Sequence, residues 1–131
     1  MRGPRFLSVQ HILYLHEDVL SLTPDEPGDL LDLGKLESAV YMPQQSIGDA
    51  YLHTDLFEVA AAYCFYLAKA HPFLAGNKRV AAYTAVVFLS VNGIELDLDP
   101  KAFGQLVLDV VQGTAGKAEL AEFFRKSKVV T

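Results

Sequence analysis

From Val80 to Ile94 the chain carries no charged side chain, and Asn92-Gly93 closes that run with a helix-stopping pair. Fifteen residues, four of them Val and three Ala, make about four helical turns. A helix apolar on all faces belongs at the buried centre of a bundle. With Thr84, Ser90 and Asn92 inside it, and at fewer than roughly 18 residues, the run is too short and too polar to span a membrane. A second apolar segment precedes it. Asp55-Leu56-Phe57-Glu58 has the spacing of a capping box, with Asp55 as N-cap and Glu58 at the third helical position. It opens a helix to about Ala70, and alanines at 60, 61, 62, 68 and 70 favour helix and let neighbours approach closely.

The rest of the chain reads as further helices. Leu7, Ile12, Leu13, Leu15, Val19, Leu20 and Leu22 recur at helical spacing over Phe6–Leu22, with Ser8 placed to cap. The turn formers of Thr23-Pro24-Asp25-Glu26-Pro27-Gly28 end that helix. A second, shorter helix is expected over Leu30–Tyr41, and residues 42–50 read as a loop or short extended flap. Asp99-Pro100 pairs an N-cap with proline at the first helical position and starts a helix to about Gln112. A final amphipathic helix runs from Lys117 to about Lys128. Outside the flap and a brief Ile94-Glu95-Leu96, no strand pattern appears. The expectation is one all-α domain over residues 1–131, a compact bundle of about six helices whose central buried helix follows the 71–79 loop.

Composition narrows the function classes. The net charge of −5 argues against direct binding of nucleic acid as the main task. The single cysteine, Cys64, cannot form an internal disulfide and lies in an apolar helical segment, where it reads as a buried, inert thiol in a reducing compartment. No secretory signal is visible, and a cytoplasmic protein without membrane contact is expected.

Between the two apolar helices lies His71-Pro72-Phe73-Leu74-Ala75-Gly76-Asn77-Lys78-Arg79. Unpaired N–H groups at the start of a helix bind anions. Gly76 permits close approach of backbone to phosphate. Asn77 can cap the helix or orient a phosphate. Lys78 and Arg79 oppose the helix dipole, and an anionic ligand would offset that cost. His71, at the chain reversal, suits a general base near neutral pH. Phe73 reads as an anchor in the core. His11, His16 and His53 show no metal-ligand spacing, and the phosphate loops of other nucleotide-binding classes are absent.

The stretch resembles the signature of the Fic/Doc family, H-x-F-x-(D/E)-G-N-(G/K)-R. Lys78, where Fic enzymes usually carry glycine, is similar to the Doc (death-on-curing) branch. Leu33–Ala39, Thr54–Glu58, Phe88-Leu89 and Asn92-Gly93 resemble Doc-like segments at comparable spacing. The resemblance implies a toxin of a toxin–antitoxin module. Such a toxin would use ATP and Mg²⁺ to phosphorylate a threonine of elongation factor Tu and block translation, and a cognate antitoxin would cover its site. It implies His71, Asn77, Lys78 and Arg79 as catalytic residues. Gly76, Asn77, Lys78 and Arg79 would bind phosphate, and the flap would dock the target by strand-like pairing. The acidic residue that holds the metal in the family is Ala75 here, so Asn77 is the remaining candidate at the metal, and Mg²⁺ binding is expected to be weakened or lost. Ala82 stands where AMP-transferring Fic proteins carry a further arginine, which argues against that reaction. Two rival readings follow: a protein AMP-transferase, and a catalytically degenerate domain that binds a nucleotide or a partner.

Overall fold

The computed structural model describes residues 3–48 and 50–130. Among these are six α-helices: α1 (Val9–Leu20), α2 (Leu33–Tyr41), α3 (Leu56–Ala70), α4 (Asn77–Val91), α5 (Pro100–Gln112) and α6 (Lys117–Ser127). After α2, one turn of 3₁₀ helix (Met42–Gln44) leads into an antiparallel hairpin of β1 (Ser46–Ile47) and β2 (Ala50–Tyr51), in the register Ser46 opposite Tyr51 and Ile47 opposite Ala50. The all-α bundle with a short flap is therefore the observed architecture.

Local chemistry sets most helix starts. Ser8, Asp32, Asp55 and Asp99 each accept a backbone N–H of the first turn of α1, α2, α3 and α5. His11 completes the cap of α1: its Nδ1 accepts from the Ser8 N–H at 2.9 Å. Two helices begin later than expected. Phe6 and Leu7 lie outside α1, where Leu7 N–H donates to the Tyr63 hydroxyl at 2.8 Å and that hydroxyl donates back to the Leu7 carbonyl. Burial pushes the Tyr63 phenol up to about 12. Residues 30–32 stay outside α2 because Asp32 caps it and Leu30 pairs with Phe73.

The core centres on α3, which packs against α2, α4, α5 and α6. Ala60, Ala61, Ala62, Tyr63 and Cys64 have no exposed surface, and the small alanines allow this close surrounding. Burial pushes the Cys64 thiol up to about 12, as expected of an inert core cysteine. α4 shares the centre along one face, through Val80, Ala81, Thr84, Ala85, Phe88 and Leu89. Its other side carries exposed Lys78, Arg79, Tyr83, Ser90 and Val91. Lack of charge marked the helix as central, but tyrosine, serine and valine tolerate solvent, so α3, the helix before the loop, sits deeper.

α3 and α4 form an antiparallel pair with the 71–76 loop at one end. The hairpin lies toward the other end: Tyr51 packs edge-on against Phe6 at 5.4 Å, and Phe6 packs against Phe88 near the last turn of α4. A 15-residue helix spans about 22 Å. The 42–50 flap thus runs along α3, from Met42 beside Lys69 and Ala70 near the loop to the hairpin toward the other end.

Candidate active site

His71 ends α3 in the left-handed conformation (φ 53°, ψ 52°), the one non-glycine residue with positive φ among those described. Its N–H still bonds to the Leu67 carbonyl, and the chain turns sharply out of the helix. Residues 72–74 then lie alongside 29–32. Leu31 and Asp32 N–H donate to the Pro72 carbonyl at 2.9 and 3.2 Å, and Leu74 N–H donates to the Asp29 carbonyl at 2.9 Å. The Asn77 side chain closes the loop, accepting from Phe73 N–H at 3.0 Å and donating to the Phe73 carbonyl at 2.8 Å. Asn77 is buried and is the first residue of α4 rather than its cap. Gly76 holds the cap position at φ 81°, a left-handed conformation that glycine adopts without strain.

His16 is the residue here that sequence reading undervalued. Its ring stacks on Phe73, and its Nε2–H donates to the Ala75 carbonyl at 2.8 Å across 59 residues of sequence. A β-carbon at Gly76 would lie 3.2 Å from that nitrogen and 3.3 Å from Leu20 Cδ2. No local signal marked His16, because the contact exists only once α1 packs beside the loop.

Together Glu26, His71, Leu74, Ala75, Gly76, Asn77, Lys78 and Arg79 line a cavity of about 330 Å³. Every residue singled out within the motif as catalytic, phosphate-binding or metal-associated thus borders one space. α4 opens onto it with no capping side chain, so its first N–H groups remain available to an anion. His71, Lys78 and Arg79 are exposed to solvent. Arg79 is held from α1's trailing turn: it donates to Thr23 Oγ1 at 3.0 Å and forms an ion pair with Glu26. The cost of two cations at a helix start is thus offset partly from within the chain. Thr23 and Glu26 had read only as turn residues.

The Ala75 side chain offers no ligand atom, the Ala75 carbonyl is bonded to His16, and Asn77 Oδ1 already accepts one bond. Among the described residues, no group of three His, Cys, Asp or Glu is arranged to hold a metal ion. This donor set does not make a resident metal centre. It does fit Mg²⁺ arriving on phosphates, which takes one or two carboxylates and fills its remaining positions with phosphate oxygens and water.

A larger cleft of about 460 Å³, lined by His53, Glu58, Lys117, Ala118, Ala121, Glu122 and Arg125, lies between α3 and α6. Its cations are already engaged. Arg125 meets Asp55, Glu58 and Glu122, and Lys117 donates to Tyr66 Oη at 2.9 Å and to His53 Nε2 at 3.3 Å. The motif cavity, with an uncapped helix start and an exposed histidine, is the better site for chemistry.

Fold and site together define a helical domain whose anion-binding loop and histidine stand at the joint of two central helices. Residues 6–89 match the model of the Fic/DOC family, and the chain belongs to that family. It is similar to protein kinase doc of Escherichia phage P1, with 30% identity over 122 residues, 93% of this chain and 94% of that protein. It is also similar to toxin Doc of Mycolicibacterium smegmatis, with 38% identity over 68 residues, 52% of each chain. No helix among the described residues is long and apolar enough to cross a membrane.

Proposed function

We propose that this protein is a Doc-like toxin of the cytoplasm, a kinase that transfers the γ-phosphoryl group of ATP to a threonine of elongation factor Tu and is silenced by a cognate antitoxin. The observation that carries this reading is the convergence of His71, the uncapped start of α4, Lys78 and Arg79 on one cavity, in a chain similar over 93% of its length to a protein named as a kinase. His71 takes the proton of the threonine hydroxyl as its oxygen attacks the γ-phosphorus, and ADP leaves. The N–H groups at Gly76–Lys78 and the cations of Lys78 and Arg79 hold the phosphates and stabilise charge that develops on them. Asn77 holds the loop in register through both of its bonds to Phe73. Mg²⁺ on the triphosphate, when bound, would neutralise charge developing in the transfer. With no carboxylate at Ala75, transfer by this chain is expected to be slow.

One specific observation favours a second reading. Ala75 suits a domain that binds nucleotide without turning it over. Labelled phosphate separates the alternatives. The protein and an Ala75→Asp variant are incubated with elongation factor Tu and ATP labelled at the α or the γ phosphorus. Label from γ, lost on His71→Ala, supports the kinase. Label from α supports AMP transfer instead. Bound nucleotide with no transfer from either protein leaves the binding domain.

A further inference from the structure

We propose that Glu26 supplies the carboxylate that holds the divalent cation of a bound nucleoside triphosphate in this protein. The proposal rests on reading the motif cavity as a nucleotide site. A triphosphate-borne Mg²⁺ needs one or two protein carboxylates. Among the described residues that line the cavity, Glu26 provides the one carboxylate, while the side chain at position 75 is a methyl group. Asp25 and Asp29, in the same turn, do not line the cavity.

Glu26 is held there by the fold. Its N–H bonds to the Thr23 carbonyl at 3.0 Å, which closes the turn, and Thr23 Oγ1 accepts from Arg79. A few residues on, Asp29 and residues 31–32 are stitched to Leu74 and Pro72. The segment is thus tied to the motif loop on both sides of Glu26. The ion pair with Arg79 uses Oε2. A carboxylate offers about four lone-pair positions, so the group keeps acceptor capacity for a second cation while Arg79 stays in place. The side chain is 44% exposed, and the residue borders the motif cavity.

The sign of the effect separates cation holding from simple obstruction. Beside a bare triphosphate, Glu26 repels. Beside a triphosphate carrying Mg²⁺, it attracts. The test titrates β,γ-imido-ATP by calorimetry, in Mg²⁺ and in EDTA, into the wild type, Glu26→Gln, and Glu26→Gln combined with Ala75→Asp. Electron paramagnetic resonance of Mn²⁺ with the same nucleotide reports the cation directly, and thermal melts by circular dichroism check folding. The wild type is expected to bind on the order of tenfold more tightly with Mg²⁺. Glu26→Gln should lose most of that gain and the bound Mn²⁺ signal, and the double variant should recover both. If Glu26→Gln binds more tightly in Mg²⁺ and EDTA alike, Glu26 merely competes for Arg79 and the proposal is overturned while the nucleotide site stands. If the wild type binds no nucleotide in either condition, the nucleotide reading falls and the proposal falls with it.

Discussion

The imidazole of His16 lies on the ring of Phe73, with centroids 3.6 Å apart and planes 10° from parallel, and it donates to the Ala75 carbonyl at 2.8 Å. One buried side chain of α1 therefore fixes both the anchor and the apex of the motif loop. Replacing it tests how far loop geometry depends on a helix distant in sequence. His16→Ala removes a ring stack and a hydrogen bond, each about 0.5–1.5 kcal/mol, and leaves a void. A total loss of about 2–3 kcal/mol is expected in urea denaturation. His16→Phe keeps the stack and is expected to lose less stability, with ATP affinity reduced in both variants. A loss under about 0.5 kcal/mol for His16→Ala would make the contact incidental.

Gly76 lies close to the same ring. Gly76→Ala combines left-handed strain with contacts of 3.2 and 3.3 Å to His16 and Leu20, and a destabilisation of about 1–3 kcal/mol is expected. Gly93 has a similar φ of 86° with nothing within 4 Å of an added β-carbon. Gly93→Ala should therefore pay the conformational cost alone. Equal melting shifts for the two variants would show that crowding by His16 is immaterial.

Asp55 caps α3 through the Glu58 N–H at 2.8 Å and accepts from Arg125 at 2.8 Å. Burial works to raise its carboxyl, but the Arg125 bond and the backbone N–H bonds outweigh it and hold the group below its ordinary value. A carboxylate lowered in the folded state stabilises above its unfolded pKa, and that contribution disappears as pH falls through the folded value. Asp55→Ala should cost about 1 kcal/mol near neutral pH. The gap from wild type should then narrow below about pH 4, as followed by urea midpoints across the acid range. A gap independent of pH would refute the ionic part of this account.

His53 is 8% exposed, and its Nε2 accepts from Lys117. Burial, and then the Lys117 charge, hold its pKa below the ordinary value, against smaller opposing effects of Glu58 and the Pro43 carbonyl. Above about pH 6.5 the imidazole is neutral in both folded and unfolded chains. As pH falls below that, the unfolded chain takes a proton that the folded one refuses, so stability drops until the lowered folded pKa is reached. His53→Gln is expected to flatten the slope of stability against pH below about pH 6.5. An unchanged slope would assign it to another group.

Much of this was legible because it is local. The caps of Ser8, Asp55 and Asp99 and the stop at Asn92-Gly93 depend on spacings of a few residues, and each appears where the spacing predicts. The motif reads as an anion site for the same reason: its loop and its helix start are consecutive. The helix start at Asn77 is local too, and asparagine suits either a cap or a phosphate-orienting role there. In the fold, Gly76 takes the positive φ, and the amide of Asn77 turns back to Phe73.

By itself, then, the sequence determined the six helices, the single inert cysteine, the family and the motif residues that border the cavity. Only the tertiary structure decided that α3 lies deeper than α4, that the hairpin stands at the far end from the loop, that His16 holds the loop and that Glu26 engages Arg79. The physical reason is range. Helix caps and turns bond residues three to five apart, so their chemistry is written in neighbouring letters. The His16 and Glu26 contacts join residues 59 and 53 apart, and they arise only when apolar faces pack and bring those side chains to the same end of the bundle.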